Sequence, residues 1–228
     1  MMPIVILTRP RAQSESFAAV LRAKWDGPII IAPLIEIAPI DVTCDNPDAV
    51  IFTSANGVAA SARLALPSGL TAWCVGSKTA EFARAAGFDA VAGPGDADGL
   101  VADIIAAKPS GKLSHIRGMH ARGDISVRLN AAGIACTDVV AYAQKALALS
   151  EEAKVAIAAQ SSVIFPLFSP RTATILNGEG PFAASVHVVA LSEAVKDAVS
   201  KQVSSQITLA ARPDAEAMLA STLRVLRA

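Results

Sequence analysis

The side chains able to do chemistry in this sequence are few, and most are hydroxyls. Tyr142 is the only tyrosine and closes the apolar run in "DVVAYAQKA". A strand-end tyrosine is most often a half-buried packing residue whose hydroxyl stays wet. Three short segments carry other hydroxyls. "AVIFTSANGV" runs from an apolar stretch into Thr53, Ser54, Ala55, Asn56 and Gly57. "AWCVGSKTAE" does the same into Gly76, Ser77, Lys78 and Thr79, and "SVIFPLFSPRTA" into Ser169, Pro170 and Arg171. Each reads as a strand breaking into a helix start. Thr53 or Ser54, Ser77 and Ser169 are placed as N-caps, with Pro170 at the first helical position. Such a corner leaves unpaired backbone N–H groups and a partial positive charge. It therefore accepts a carboxylate or phosphate with few basic side chains. Most such corners in α/β proteins only cap helices, so none of them singly identifies a ligand.

Motifs with a more specific chemistry are missing. The sequence has no G-x-x-x-x-G-K-[ST] and no G-x-S-x-G. "AGPGDADG" (92–99) is glycine-rich without G-x-G-x-x-G spacing and reads as a loop. His115, His120 and His187 lack metal-ligand spacing and read as structural or solvent-exposed; nothing demands a cofactor or a metal. Cys44, Cys74 and Cys136 are odd in number and contain no C-x-x-C, as expected for single thiols of a cytoplasmic protein.

Charge and length narrow the class further. The 20 basic and 20 acidic residues cancel, which argues against a nucleic-acid binder and leaves room for a local anion site. At 228 residues and 53% apolar, the chain can bury one large core or two small ones. "PIIIAPLIEIAPI" (28–40) holds three prolines and Glu36 and is too short and interrupted for a membrane span. "MMPIVILTRP" has no basic n-region and is expected to be a first strand, not a signal peptide.

The elements that must position these residues alternate. Strand-like runs are expected at 4–8, 28–33, 163–167, 187–191 and 207–211 in the outer parts of the chain. Five more are expected at 49–53, 72–76, 89–93, 114–118 and 137–142 in the middle. Between most of them lie helix-period stretches such as "SESFAAVLRAK" and "AEAMLASTLRVL". This alternation predicts an α/β protein of doubly wound parallel sheets, and the unbroken apolar runs predict strands buried on both faces. The pattern also repeats. Arg9 falls on Arg117, Leu21 on Leu129, Ser54 on Ser169 and Ser77 on Ser192, which predicts two related halves.

The order "TRP", "PLIEI", "IFTSANGV", "VGSKTA", "GPGDADGL", "IRG", "VVAY", "FSP" and "LAARPDAEAML" resembles the uroporphyrinogen-III synthase family from about residue 4 to residue 226. The resemblance implies two α/β domains of about five strands each, joined by two crossing segments near "IEIAPI" and "YAQKAL", with a cleft between them. Residues 1–36 plus 146–228 would form one domain and 37–145 the inserted other. It implies a cofactor-free lyase. Hydroxymethylbilane, a linear tetrapyrrole polycarboxylate, loses water, inverts its last ring and closes to uroporphyrinogen III in haem biosynthesis. The enzyme would hold a flexible polyanion in one folded shape and stabilise developing charge.

Helix starts and local cations would grip the carboxylates: Ser54, Ala55, Asn56, Gly76, Ser77, Ser169, Pro170 and Ser192, with Arg9, Lys78, Arg117, Arg122 and Arg171. Because backbone donors survive side-chain substitution, single changes at Ser54 or Ser169 are expected to have several-fold effects. Tyr142 matches a family tyrosine that could donate to the departing hydroxyl, and Thr79 a hydroxyl that could support water loss or bind a carboxylate. One departure is at Ala194 and Val195, where family members often carry Thr; Glu193 adds negative charge there. A cytoplasmic monomer with no nucleic-acid or membrane partner is expected, with transient hand-over from the upstream bilane-forming enzyme. The alternatives are a non-catalytic two-domain clamp sensing a small anion, a nucleotide-using enzyme and a folded but inactive relative. Missing phosphate-loop motifs count against the nucleotide enzyme.

Overall fold

The computed structural model describes residues 2–121, 123–159, 162–204 and 206–227. The chain divides into two compact units: Met1–Glu36 with Lys145–Ala228, and Ile37–Gln144. The first segment supplies β1 (Ile4–Leu7), α1 (Arg11–Arg22) and β2 (Ile29–Ile31), and β3 (Ile35–Pro39) passes into the second unit. There follow β4 (Ala49–Phe52), α2 (Ala55–Ser61), β5 (Thr71–Cys74), α3 (Ser77–Ala85) and β6 (Asp89–Ala92). Next come α4 (Ala97–Ala107), β7 (Leu113–Gly118), α5 (Ile125–Ala131) and β8 (Cys136–Ala146). The chain returns as α6 (Glu151–Ala159), β9 (Ser162–Leu167), α7 (Pro170–Asn177) and β10 (Ser185–Ala190). It ends with α8 (Glu193–Asp197), β11 (Gln206–Leu209) and α9 (Ala215–Leu226).

One sheet runs β11-β10-β9-β1-β2 and the other β3-β8-β7-β4-β5-β6. Pairings among the inner strands are parallel, for example Val5 with Ile164, and Phe52 with both Cys74 and Ile116. Read from one edge, β11-β10-β9-β1-β2 has the same order as β6-β5-β4-β7-β8. The two units are thus the same sheet entered at different strands, as the repeat of Ser54 on Ser169 predicts.

The strands form where apolar residues run unbroken, because helices cover both faces. In the second unit, Val50 and Phe52 pack with Val58 and Ala80 on one face, and Ala49 and Ile51 with Leu100, Ile104 and Leu129 on the other. In the first unit, Ile6 and Phe165 face Leu176, while Val5 and Ile164 face Phe17, Leu21 and Met218. Helix α1 buries Phe17, Ala18 and Leu21, spaced at three and four residues to form one stripe.

Several expectations change in detail. A sixth strand, β3, occupies the stretch expected to be only a crossing segment. Pro39 is tolerated there because β3 is an edge strand, where a missing N–H leaves no partner unbonded. Backbone bonds from Ile40 N–H to Ala141 O and from Leu147 N–H to Leu34 O make the β3–β8 pair antiparallel. Strand β8 runs on to Ala146, through the second expected crossing. Ser77 does not cap α3: extended Gly76 takes the N-cap position and Ser77 begins the helix. The end of "AGPGDADG" is helical, since α4 starts at Ala97 and the Asp96 carboxylate accepts from Gly99 N–H at 2.8 Å. Helix α6, between β8 and β9, carries Ala153 and Ile157 into the core.

Candidate active site

Taken in chain order from β4, the second sheet has strand order 3-2-1-4-5, so the direction of winding reverses between β4 and β7. Helices leaving neighbouring strands toward opposite faces open a crevice at the strands' C-terminal ends there, where doubly wound sheets bind ligands. Ser54 stands at the end of β4. It is the N-cap of α2, and its Oγ accepts from Gly57 N–H at 3.3 Å. The same Oγ lies 3.1 Å from the Tyr142 hydroxyl, 88 residues away in sequence. Ala55 and Asn56 form the first turn beside it, both half-buried.

Tyr142 reaches Ser54 because of an irregularity in the sheet. Arg117 pairs with Val140 but Gly118 pairs with Tyr142, so Ala141 is an extra residue in β8. This bulge re-aims the tyrosine, a common device beside active sites. The ring, 5% exposed, lies over Gly118, and Met119 N–H donates to Tyr142 O at 2.8 Å.

On the opposite face of the same sheet end lies a second polar row. Thr53 Oγ1 is 3.4 Å from His115 Nε2, and His115 Nδ1 is 3.1 Å from Asp138 Oδ1. His115 is 2% exposed, and burial pulls its pKa below 6.5 against the opposing pull of Asp138. Asp138 Oδ2 is 2.9 Å from Arg117 Nε, a close ion contact without the alignment of a hydrogen bond. Arg117 Nη1 also donates to Gly118 O at 3.1 Å. Arg117 is therefore held against its own strand ends.

At the next corner, Gly76 approaches the Gly95 backbone so closely that a Cβ would lie 3.3 Å from Gly95 Cα. Ser77 and Lys78 are exposed in the first turn of α3, whereas Thr79 is 8% exposed on its buried side.

The first unit repeats the geometry at its own winding reversal, between β9 and β1. Ser169 caps α7, accepting from Thr172 N–H at 3.2 Å, with Pro170 at the first helical position. Arg9 follows β1. Its guanidinium lies 4.1 Å above the Phe168 ring, and its Nε donates to Gln13 Oε1 at 3.1 Å. Phe168 is held edge-on by Phe17 at 5.2 Å, so Arg9 rests on a fixed aromatic shelf. Burial lowers the Arg9 pKa. A cation stripped of water in this way gains more from an anionic partner than an exposed one. Arg171 is half-buried in the first turn of α7. Ser192 is the N-cap of α8, a helix of five residues, and makes no side-chain cap bond. Glu193 is engaged by Lys196 at 3.0 Å, and Val195 is core. Arg122 lies outside the described residues.

Thr53 was read only as an alternative N-cap to Ser54, which takes that position, Asp138 was not singled out from sequence, and His115 was read as structural or exposed. Spacing offers no signal, since they come from three strands. The available signal was a histidine and an aspartate inside "LSHIRG" and "CTDVV", where buried parallel strands ordinarily carry apolar side chains. Among the described residues, no group of three or more His, Cys, Asp and Glu side chains could hold a metal ion, and no helix is long and apolar enough to cross a membrane.

The model of one protein family, described as uroporphyrinogen-III synthase HemD, matches residues 15–220. No curated protein sequence matches the chain. Among solved structures, a uroporphyrinogen-III synthetase from Helicobacter pylori 26695 aligns with TM-score 0.72 and 17% identity, covering 99% of this chain and 100% of that one. A mutant uroporphyrinogen III synthase from the extremely thermophilic bacterium Thermus thermophilus aligns with TM-score 0.52 and 15% identity, covering 99% of each chain. At these identities the two structures speak for the shared two-unit fold.

Proposed function

The chain belongs to the uroporphyrinogen-III synthase family, the cyclising lyases of haem biosynthesis, and we propose that Tyr142 is its proton donor to the hydroxyl that the bilane loses. The observation that carries this assignment is the 3.1 Å contact between the Tyr142 hydroxyl and Ser54 Oγ. Ser54 already accepts from Gly57 N–H, so its own proton is available to Tyr142. A directed chain then runs from Gly57 N–H to Ser54 O–H to Tyr142 O–H. Each bond polarises the next, and the phenol proton is left pointing outward as a donor. Hydroxide is a poor leaving group; a donor that follows it out lets it depart as water. Such assistance contributes about 10²–10⁴-fold.

Carboxylate binding is assigned to the strand-end corners of each unit. In the second unit these are Ser54, Ala55, Asn56, Gly76, Ser77 and Lys78, with Thr79 as a further hydroxyl and Arg117 as supporting charge. In the first they are Arg9, Ser169, Pro170, Arg171 and Ser192. Support comes from their common place at C-terminal strand ends and from the half-buried cation of Arg9. The same proposal takes residues 1–36 plus 146–228 and 37–145 as the two domains of a cytoplasmic monomer, receiving the bilane from the enzyme that forms it.

The test is to supply hydroxymethylbilane, oxidise the products and resolve type I from type III uroporphyrin. Wild type should shift the product to type III, and Tyr142→Phe should lower that rate about 10²–10⁴-fold. Type I alone from a folded wild-type sample would remove the synthase assignment. Full-rate type III formation by Tyr142→Phe would remove only the donor.

A further inference from the structure

Closing the bilane with inversion of its last ring and loss of water moves two protons. One goes to the departing hydroxyl. The other leaves the free α-carbon of the last pyrrole, whose C–H bond must break for that ring to regain aromaticity once the carbon has formed its new C–C bond. Tyr142 serves the first step from one face of the sheet end, and the row of Thr53, His115 and Asp138 lies on the other. We propose that Thr53, backed by His115 and Asp138, accepts the second proton. This assignment rests on the synthase reading given above.

The geometry determines which way the protons lie. A carboxylate accepts, so the His115 Nδ1–H donates to Asp138 across 3.1 Å. The uncharged ring then presents Nε2 as an acceptor, and Thr53 O–H donates to it across 3.4 Å. With its proton so engaged, the Thr53 oxygen offers lone pairs outward. The contact is long, as such bonds often are before a ligand tightens them. In the step itself, the α-carbon proton passes to Thr53 Oγ1 while the hydroxyl proton passes to His115 Nε2. The C–H electron pair returns to the pyrrole, and the imidazolium keeps its bond to Asp138. Release of the imidazolium proton to water and uptake of one by the Tyr142 phenolate reset both groups, so the cycle loses only water and requires no oxidant or further reactant.

The surroundings suit a proton that must be held briefly and then released. A recess of about 60 Å³, lined by His115, Arg117, Asp124, Ser126 and Asp138, lies against the ring. That is room enough for water to carry the proton away. Asp138 favours the imidazolium, while burial and Arg117 oppose it, so the charged form is transient near neutral pH. The ionisable groups around the ring are Arg117 on β7, Asp138 and Cys136 on β8, and Asp124 ahead of α5; β4 contributes only Thr53. Burial raises the Cys136 thiol to about 11, which keeps it out of this titration.

Position completes the case. Thr53 and Ser54 are consecutive at the end of β4, and Ser54 has extended backbone angles, so their side chains point to opposite faces. Donor and acceptor thus flank the crevice where the winding reverses. Thr53 is the catalytic residue of the row; His115 and Asp138 position it and hold its proton.

The test uses the full chain with hydroxymethylbilane supplied directly, comparing wild type, Thr53→Val, Thr53→Ser and His115→Gln. Thr53→Val should lower kcat about 10²-fold with little change in KM, and Thr53→Ser should recover most of the rate. Substrate deuterated at the free α-carbon of the terminal pyrrole should show a larger isotope effect in Thr53→Val than in wild type. In wild type, kcat should fall on the acid side as His115 gains its proton, and His115→Gln should lose that limb. Nitrogen NMR at neutral pH should find the His115 proton on Nδ1. Type III formation by wild type with Thr53→Val within threefold of it overturns the acceptor and leaves the synthase reading intact; so does Thr53→Ser no faster than Thr53→Val. Type I alone from wild type overturns both, while the NMR result still reports whether the local hydrogen-bond row exists.

Discussion

Gly118 and Tyr142 face each other across β7 and β8, and a Cβ placed on Gly118 would lie 2.6 Å from Tyr142 Cε2 and 3.1 Å from its hydroxyl oxygen. The glycine is a seat for the ring. Two of the clashing atoms belong to a rigid six-membered ring whose other side is packed, so the ring cannot simply turn away.

Gly118→Ala is therefore expected to behave as a milder form of Tyr142→Phe. Over-packing of this kind costs about 1–3 kcal/mol. Both a lower thermal midpoint and a reduced type III rate should appear. Tyr142→Phe should cost rate with less stability. A Gly118→Ala protein as active as wild type would mean the phenol need not stay where it is.

Ser54→Ala and Ser169→Ala should separate, although both residues cap helices. Each loses a cap, worth about 1 kcal/mol in urea unfolding. Ser54→Ala also leaves Tyr142 without its partner, a bond worth about 0.5–1.5 kcal/mol, or roughly 2–10-fold in kcat. Its rate loss should vanish in a Tyr142→Phe background, and that double-mutant comparison is the decisive measurement.

Arg9→Met should raise KM about tenfold or more, on the scale of about 1.5–3 kcal/mol for a charge-assisted bond. Phe168→Leu should do the same more weakly, by removing the ring under the guanidinium. Initial rates at several bilane concentrations distinguish this from a change in kcat.

Acid should weaken the fold through His115. Its folded pKa is below the 6.5 of an ordinary histidine, so below that pH the unfolded chain binds more protons than the folded one. Stability is undiminished above pH 6.5 and declines as the pH falls beneath it, by at most about 1.4 kcal/mol per pH unit from this group. Urea midpoints at pH 7.5 and 5.5 should differ less in His115→Gln than in wild type.

How far the sequence is legible varies with the range of the interaction. Ser169 and Pro170 declare a helix start locally, and the structure places both as expected. Unbroken apolar runs such as "AVIF" declare doubly covered strands, because burial on both faces requires it. Gly76 as the cap ahead of Ser77 was illegible, since the choice depends on a backbone packed against Gly95. The Tyr142–Ser54 contact depends on one extra residue in β8, which no local preference marks. The Thr53–His115–Asp138 row depends on the register of three strands. A pattern of single residues carries no register between segments so far apart.

The shared strand order, entered at β4 in one unit and at β1 in the other, has a consequence for synthesis. Ile51 finds its partner His115 within the second unit's own continuous stretch. Ile4 pairs with Val163, which the ribosome adds far later. At about 5–20 residues per second, β1 waits roughly 8–30 s for that neighbour. During the wait, the inserted unit can finish folding while "IVIL" stays an open, sticky edge. A nascent chain stalled before residue 163 should thus be the form that chaperones hold, and the second half of the molecule sets the moment at which its first strand becomes safe.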